Sequence, residues 1–156
     1  MPTRLLATMI TTTTYGSWLP GDLRGYVDHG RILPANPDRL EHARSVMKGK
    51  SVTLTASDQR TAFDALHNAC IEFNYDLIAV AIEPWHAHIL VHHRDDPVAT
   101  AAARLKARIR QAINRGRIWT AGYDKRYCFT EAEVTARHQY IARHPGHRPI
   151  KNNPPH

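Results

Sequence analysis

The sequence predicts an α+β fold in which helices pack on one antiparallel sheet, a ferredoxin-like arrangement. Two observations predict it. First, apolar or β-branched runs alternate with amphipathic segments in the order strand, helix region, strand, strand, helix, strand, helix. Second, only three residues separate the runs at 76–82 and 86–92. So short a connection implies that the two strands are antiparallel neighbours.

The N-terminal half is predicted to hold one strand and two helices. Residues 5–14 are rich in β-branched side chains and predict a strand, which a glycine-rich loop follows. A short helix is expected at about 38–47, and residues 51–55 are either a short strand or an extended lead-in. Ser57 is expected to cap a helix that continues to about Phe73. That helix has one apolar stripe, formed by Phe63, Leu66, Cys70 and Phe73.

The C-terminal half continues with the two paired strands and then a helix at about 98–114. A strand at 126–129 precedes the segment Thr130-Glu131-Ala132-Glu133, which fits a capping box and starts the last helix. That helix is expected to continue through His144, before Pro145-Gly146 ends it. We expect residues 1–146 to form one domain and residues 147–156 to form a flexible, basic, Pro-rich tail.

Length and composition indicate a single globular domain without a membrane span. The chain has 156 residues, of which 42% are hydrophobic, enough for one buried core. No apolar stretch approaches the roughly 20 residues needed to cross a bilayer. The two cysteines, Cys70 and Cys128, are far apart and form no CxxC motif. This excludes a cysteine-based zinc finger and suits a reducing cytoplasm, where we expect the protein to act.

Positive charge indicates a polyanionic partner, nucleic acid first. The net charge is +7 and the sequence pI is about 9.8. No acidic residue lies between Pro97 and Gly122 to pair with the basic face of the 98–114 helix. An ordinary solvated face is the alternative, but the missing i,i+4 partners favour contact with phosphates. The predicted DNA-binding residues are Arg104, Lys106, Arg110 and Arg117, with Trp18 and Arg24 from the glycine-rich loop.

The alternation of a strand places His86 and His88 on one face of the 86–92 strand. Imidazole is a common metal ligand, so the pair forms half of a potential metal site. With 11 histidines in the chain, a chance pair is the alternative.

The last helix supplies the other half of a potential site. Tyr140 and His144 are four residues apart, so they are expected to share one helical face. If this helix lies over the histidine strand, His144 is a third imidazole ligand. Tyr140 is then an oxygen nucleophile within reach of a metal-bound phosphate. A partly buried structural tyrosine is the alternative for Tyr140.

These segments resemble those of a known family. His86-Ala87-His88 in an apolar strand resembles the HUH motif of single-strand DNA endonucleases. The segment Tyr140-Ile141-x-x-His144-Pro145 resembles the tyrosine helix of the single-tyrosine HUH transposases, which include the REP-associated tyrosine transposases. The corresponding segments of that group also look like residues 15–22, 119–120 and 126–127 of this chain. The resemblance therefore covers about residues 5–145.

The resemblance implies a ferredoxin-like catalytic domain that binds a divalent metal, Mg²⁺ or Mn²⁺. In such enzymes the HUH histidines hold the metal, and the tyrosine attacks single-stranded DNA beside a hairpin. The products are a 5′-phosphotyrosine and a free 3′-OH. Carried over to this chain, His86 and His88 match the metal ligands and Tyr140 matches the nucleophile. His144 takes the place of the family's Gln or Asn ligand, and the protein is expected to be a monomer or a homodimer.

The chain departs from the family pattern at several positions. Many relatives have Pro-Asn-His before the motif, whereas this chain has Pro84-Trp85-His86. A histidine at 144 also makes Zn²⁺ binding in vitro compatible with the ligand set. His147 competes as the third ligand, and Tyr123 and Tyr127 compete as nucleophiles. Two other functions stay open: a hairpin-binding module without chemistry, and a metal-binding protein unrelated to DNA.

Overall fold

A computed structural model describes residues 4–16, 26–28, 31–47 and 51–150. The predicted DNA-binding residues Trp18 and Arg24 lie outside the described residues. The strands are β1 (Ala7–Thr13), β2 (Tyr26–Asp28), β3 (Arg31–Leu33), β4 (Asp76–Ile82), β5 (His86–His92) and β6 (Asp124–Cys128). The helices are α1 (Pro37–Ser45), α2 (Ala56–Glu72), α3 (Val98–Ile113) and α4 (Glu131–Ala142).

The main sheet has four strands in the order β4-β5-β1-β6, and every neighbouring pair is antiparallel. With α2 and α3 as the connecting helices, the chain follows the β-α-β-β-α-β order of a ferredoxin-like fold. The predicted α+β class and the antiparallel pairing of β4 and β5 are therefore confirmed. A separate two-stranded sheet, β2 with β3, was not predicted.

Each face of the sheet has its own apolar core. On one face, β-strand residues such as Ile10, Ile82 and Ile89 pack with the residues of α2 and α3. On the other face, Met9 and Leu90 pack with Ile141 of α4. Because β5 alternates between these faces, its even-numbered residues lie on the α4 side. The strand period therefore places His86 and His88 under the last helix.

Helix α2 begins two residues earlier than the sequence predicted. Its cap is Thr55, not Ser57, and a reciprocal capping box ties Thr55 to Asp58. The Thr55 hydroxyl accepts the Asp58 amide at 3.1 Å, and the Asp58 carboxylate accepts the Thr55 amide at 2.9 Å. Ser57 falls inside the first turn because the box stabilises the earlier start. Residues 51–55 form the extended lead-in rather than a strand.

The predicted tail is corrected for residues 147–150, which belong to the folded domain. After α4 the chain returns to β4, where the Ile82 amide donates to the Gly146 carbonyl at 2.9 Å. The Arg148 amide donates to the Val80 carbonyl at 3.0 Å. Ile150 packs against the apolar core. This segment covers the open edge of β4, which would otherwise present unpaired backbone groups.

Cys70 is a core residue, as the sequence predicted. Its side chain is buried between α2 and the sheet, and burial raises the pKa of the thiol to about 12. None of the helices in the described part of the chain is long and apolar enough to cross a membrane.

Candidate metal and nucleophile site

Strand pairing positions the two histidines of β5. His86 lies opposite Thr13 and His88 lies opposite Thr11, both on β1. Directly opposed side chains of an antiparallel pair are close enough to interact. His88 is 7% exposed, and its Nδ1 atom lies 2.8 Å from the Thr11 hydroxyl oxygen. When Nδ1 donates to that hydroxyl, Nε2 keeps its lone pair for a ligand.

His88 is held in its neutral form. Burial, and to a lesser degree the neighbouring His86 and His144, lower the pKa of its imidazole to about 4. A metal ion binds neutral imidazole, because a protonated ring offers no lone pair. His88 is therefore ready to act as a ligand at neutral pH without first losing a proton.

His144 reaches the same place from the end of α4. The helix ends at Ala142 with Arg143 as its cap, so His144 lies just beyond the helix rather than on its face. The His144 ring still stays near Tyr140, because its Nδ1 atom lies 3.0 Å from the Tyr140 carbonyl oxygen. A carbonyl oxygen only accepts hydrogen bonds, so Nδ1 is the donor. In the neutral ring the lone pair is then on Nε2.

The three imidazoles form one cluster with one ring nitrogen from each residue. These nitrogens lie within 4.8 Å of one another. The ring centroid of His88 is 4.7 Å from that of His86 and 4.7 Å from that of His144. An all-imidazole donor set suits a divalent transition metal. Hydrogen bonds that fix the outer nitrogens of two rings are typical of metal-binding histidines. The residues present therefore fit a divalent metal.

His147 is not part of this cluster among the residues that the structure describes. Its backbone instead bridges to Ala81 of β4 and donates to the His144 carbonyl at 3.0 Å. Of the two candidates for a third ligand, the structure brings His144 to the pair on β5.

Tyr140 lies against two of the three imidazoles. Its ring centroid is 5.3 Å from that of His88 and 4.9 Å from that of His144. The side chain is 40% exposed, so a polymer substrate can reach the phenol. One chain supplies all four side chains of this arrangement. Tyr127, by contrast, packs on Phe129 with a centroid distance of 6.0 Å, and Tyr123 lines a groove beside β6.

Glu83 and Gly146 hold the segment that carries His144, a role that the sequence alone does not indicate for either residue. The buried Glu83 carboxylate accepts the Gly146 amide at 2.9 Å. A Cβ atom on Gly146 would lie only 2.1 Å from the Ile82 carbonyl oxygen. Only glycine therefore allows the chain to approach β4 this closely. The Pro145-Gly146 pair was a signal for a turn, but nothing local indicated which strand the turn meets.

We expect Gly146→Ala to destabilise the fold and displace His144. Because the added methyl group meets backbone atoms, it should lower the free energy of unfolding by about 3 kcal/mol, the upper end of the usual cost of overpacking, as measured by urea denaturation. Affinity for Mn²⁺ should fall as well. Gly116→Ala is the control, because its Cβ meets nothing within 4 Å. It should cost only about 1–2 kcal/mol, because its positive φ disfavours a residue with a Cβ, and leave metal binding unchanged. Equal effects of the two variants would contradict this account of Gly146.

The basic residues of α3 are less available than the sequence suggested, because acids from other elements reach them. Arg104 pairs with Asp96 at 2.8 Å. Two further arginines, one within α3 and one just after it, pair with acids of α2. Lys106 donates to the Thr120 and Gly122 carbonyls at 3.1 and 2.7 Å, and burial lowers its pKa.

Arg110 and Arg117 differ from Arg104 and Lys106. Within the described part of the chain neither forms an ion pair, and both line a groove of about 310 Å³. Trp119 lies in the same groove. The Arg117 guanidinium stacks 4.1 Å above the Tyr15 ring. Of the four predicted DNA-binding residues that the structure describes, these two keep charge available for an anionic partner.

Among the solved structures to which the chain is similar in fold are two transposase-related proteins. One is a REP-associated tyrosine transposase bound to a REP hairpin, with a TM-score of 0.57 and 10% identity, over 90% of this chain and 68% of that one. The chain is similar to it in fold. The other is a Deinococcus radiodurans R1 protein provisionally named a transposase, with a TM-score of 0.50 and 14% identity. That match covers 89% of this chain and 90% of the other. By sequence, the chain matches no protein-family model and no curated protein.

Proposed function

We propose that this protein is a metal-dependent endonuclease and strand transferase that acts on single-stranded DNA beside hairpins. The observation that carries the proposal is the position of Tyr140, within 5.3 Å of His88 and 4.9 Å of His144 between ring centroids. A tyrosine that only packs within the fold does not have to lie beside three imidazoles. A tyrosine nucleophile does, because the metal that those imidazoles would hold activates the phosphate that it attacks.

The histidines would hold the metal. His86, His88 and His144 offer an imidazole ligand set that suits Mn²⁺ and, in vitro, Zn²⁺ better than Mg²⁺, the other ion that the family resemblance implies. When bound, a divalent ion supplies Lewis acidity that polarises a phosphodiester. Thr11 and the Tyr140 carbonyl act through the rings, since they fix the orientation of His88 and His144.

The bond changes follow from the nucleophile. The Tyr140 oxygen attacks phosphorus and loses its proton to solvent, to which the side chain is open. The bond from phosphorus to the 3′ oxygen breaks, and that oxygen takes up a proton. The products are a 5′-phosphotyrosine and a 3′-hydroxyl. The phosphotyrosine ester conserves the energy of the broken bond, so a 3′-hydroxyl can reverse the step and join strands without ATP.

The fold comparison supports this choice of substrate. One protein with a similar fold is a REP-associated tyrosine transposase bound to a REP hairpin, and a second carries a transposase name. The groove with Arg110 and Arg117 supplies positive charge for a phosphate backbone. We therefore expect hairpin-flanked single-stranded DNA to be the substrate.

The test uses one hairpin-flanked oligonucleotide, labelled at either its 5′ or its 3′ end and incubated with the protein and Mn²⁺. On a denaturing gel, the 3′ label should migrate with the protein, and the 5′ label should appear on a shorter strand with an extendable 3′-hydroxyl. EDTA or a fully duplex substrate should abolish both products. Salt-sensitive binding that survives EDTA without any adduct would instead support a hairpin-binding module without chemistry.

A further inference from the structure

Trp85 is an exposed aromatic residue at the edge of the candidate site. It lies in the three-residue connection between β4 and β5, directly before His86. Its side chain is 42% exposed, and its ring centroid lies 5.9 Å from that of His86. The large indole therefore remains accessible beside the metal-binding cluster, although burial would be the favourable state for its apolar surface.

The backbone of this connection is fixed from both sides. The Pro84 carbonyl accepts the Leu54 amide at 2.7 Å. The Trp85 carbonyl accepts the Thr14 amide at 2.9 Å and the Thr14 hydroxyl at 3.3 Å. Because the backbone is fixed and the indole side chain has only two torsion angles, little conformational entropy is lost when a partner covers the ring.

Positive charge lies at the same end of the sheet. Thr14 bridges to Trp119, a residue of the groove that contains Arg110 and Arg117. Two strand spacings separate Trp85 from Trp119 through Thr14, a distance of about 10 Å between backbones. A chain of phosphates that crosses this end can therefore contact the arginines and place a base near Trp85.

We propose that Trp85 stacks on an unpaired nucleobase of the strand that enters the histidine and tyrosine site. The inference rests on the proposed function and adds a substrate-binding residue to it. An indole ring offers a flat apolar face that any base can cover, whatever its sequence. In a duplex those base faces are already stacked, so this contact selects single strands. It also holds the adjoining phosphate beside the cluster.

The experiment measures binding by fluorescence anisotropy in EDTA, so that chemistry plays no part. The probes are labelled 12-nucleotide oligo(dT) and an abasic strand of equal length and charge. Wild type should prefer oligo(dT). Trp85→Ala should bind oligo(dT) about 10- to 100-fold more weakly, because base stacking on an aromatic residue is worth that much. It should bind the abasic strand as wild type does. Trp85→Phe should keep most of the preference, and Trp85→Leu should lose it.

Arg117→Ala is the matched control, because it removes charge and no exposed indole. It should weaken binding of both probes and reduce the slope of log affinity against log salt by about 0.7. Trp85→Ala should leave that slope unchanged. Thermal melting checks that each variant is folded. If Trp85→Ala and Trp85→Leu unfold, the binding of the two probes to wild type and to Trp85→Phe still tests the inference.

The inference is wrong if Trp85→Ala keeps the wild-type preference for oligo(dT), or if wild type binds both probes equally. The gel assay on wild type judges the proposed function separately. Adduct formation together with an unchanged Trp85→Ala preference would overturn only the role of Trp85.

Discussion

Replacing Tyr140 with phenylalanine should reduce the yield of the covalent protein–DNA adduct by about a thousandfold or more. The variant keeps the ring that lies against His88 and His144 and loses only the attacking oxygen. Stability, Mn²⁺ affinity and DNA binding should therefore stay close to wild type. The measurement is quantification of the 3′-labelled adduct on a denaturing gel, with melting temperature and anisotropy on the same preparation.

Tyr127→Phe is the matched control for this variant. Tyr127 is also 40% exposed, but its ring packs on Phe129 rather than on the histidines. It should form adduct at the wild-type level, and so should Tyr123→Phe. Adduct from Tyr140→Phe at the wild-type level would remove Tyr140 from the reaction and make one of the other tyrosines the candidate.

Replacing His88 with alanine should weaken Mn²⁺ binding by about 100-fold or more, and adduct formation should fall with it. His88 is the central member of the cluster, since its ring contacts those of His86, His144 and Tyr140. Residues that only orient a metal ligand typically contribute about 10- to 100-fold to metal affinity. Loss of the ligand itself should cost more than Thr11→Val, which removes only its hydroxyl partner. Calorimetric titration measures the Mn²⁺ affinity of wild type and of each variant.

His138→Ala is the control for the histidine variants. It is an exposed residue of the same helix, α4, and lies outside the cluster. Its affinity for Mn²⁺ should equal that of wild type. Equal affinities for wild type, His88→Ala and Thr11→Val would show that these imidazoles do not form the metal site.

Much of the fold could be predicted because it depends on local periodicity. The two-residue period of β5 placed His86 and His88 on one face, and the short connection to β4 determined their antiparallel pairing. These local patterns also predicted α3 and α4 to within two residues of their observed ends. The histidine pair was therefore correctly placed on the sheet from sequence alone.

The remaining features depend on contacts between distant segments, which no local pattern encodes. His144 reaches the cluster from a turn beyond α4, and Glu83 and Gly146 hold that turn against β4. The acids that pair with Arg104 and with the two further arginines come from other elements of the fold. A search of the helix for i,i+4 partners could not find them, since it examines only neighbours along the chain.

Identifying the amino acid that becomes joined to DNA tests the proposed function most directly. Wild-type protein is trapped with hairpin-flanked single-stranded DNA and Mn²⁺, digested with nuclease and protease, and sequenced by mass spectrometry. We expect a nucleotide phosphate on Tyr140, in a peptide from α4. A nucleotide on Tyr123, Tyr127 or any other residue would contradict it, and so would cleaved DNA with no modified peptide.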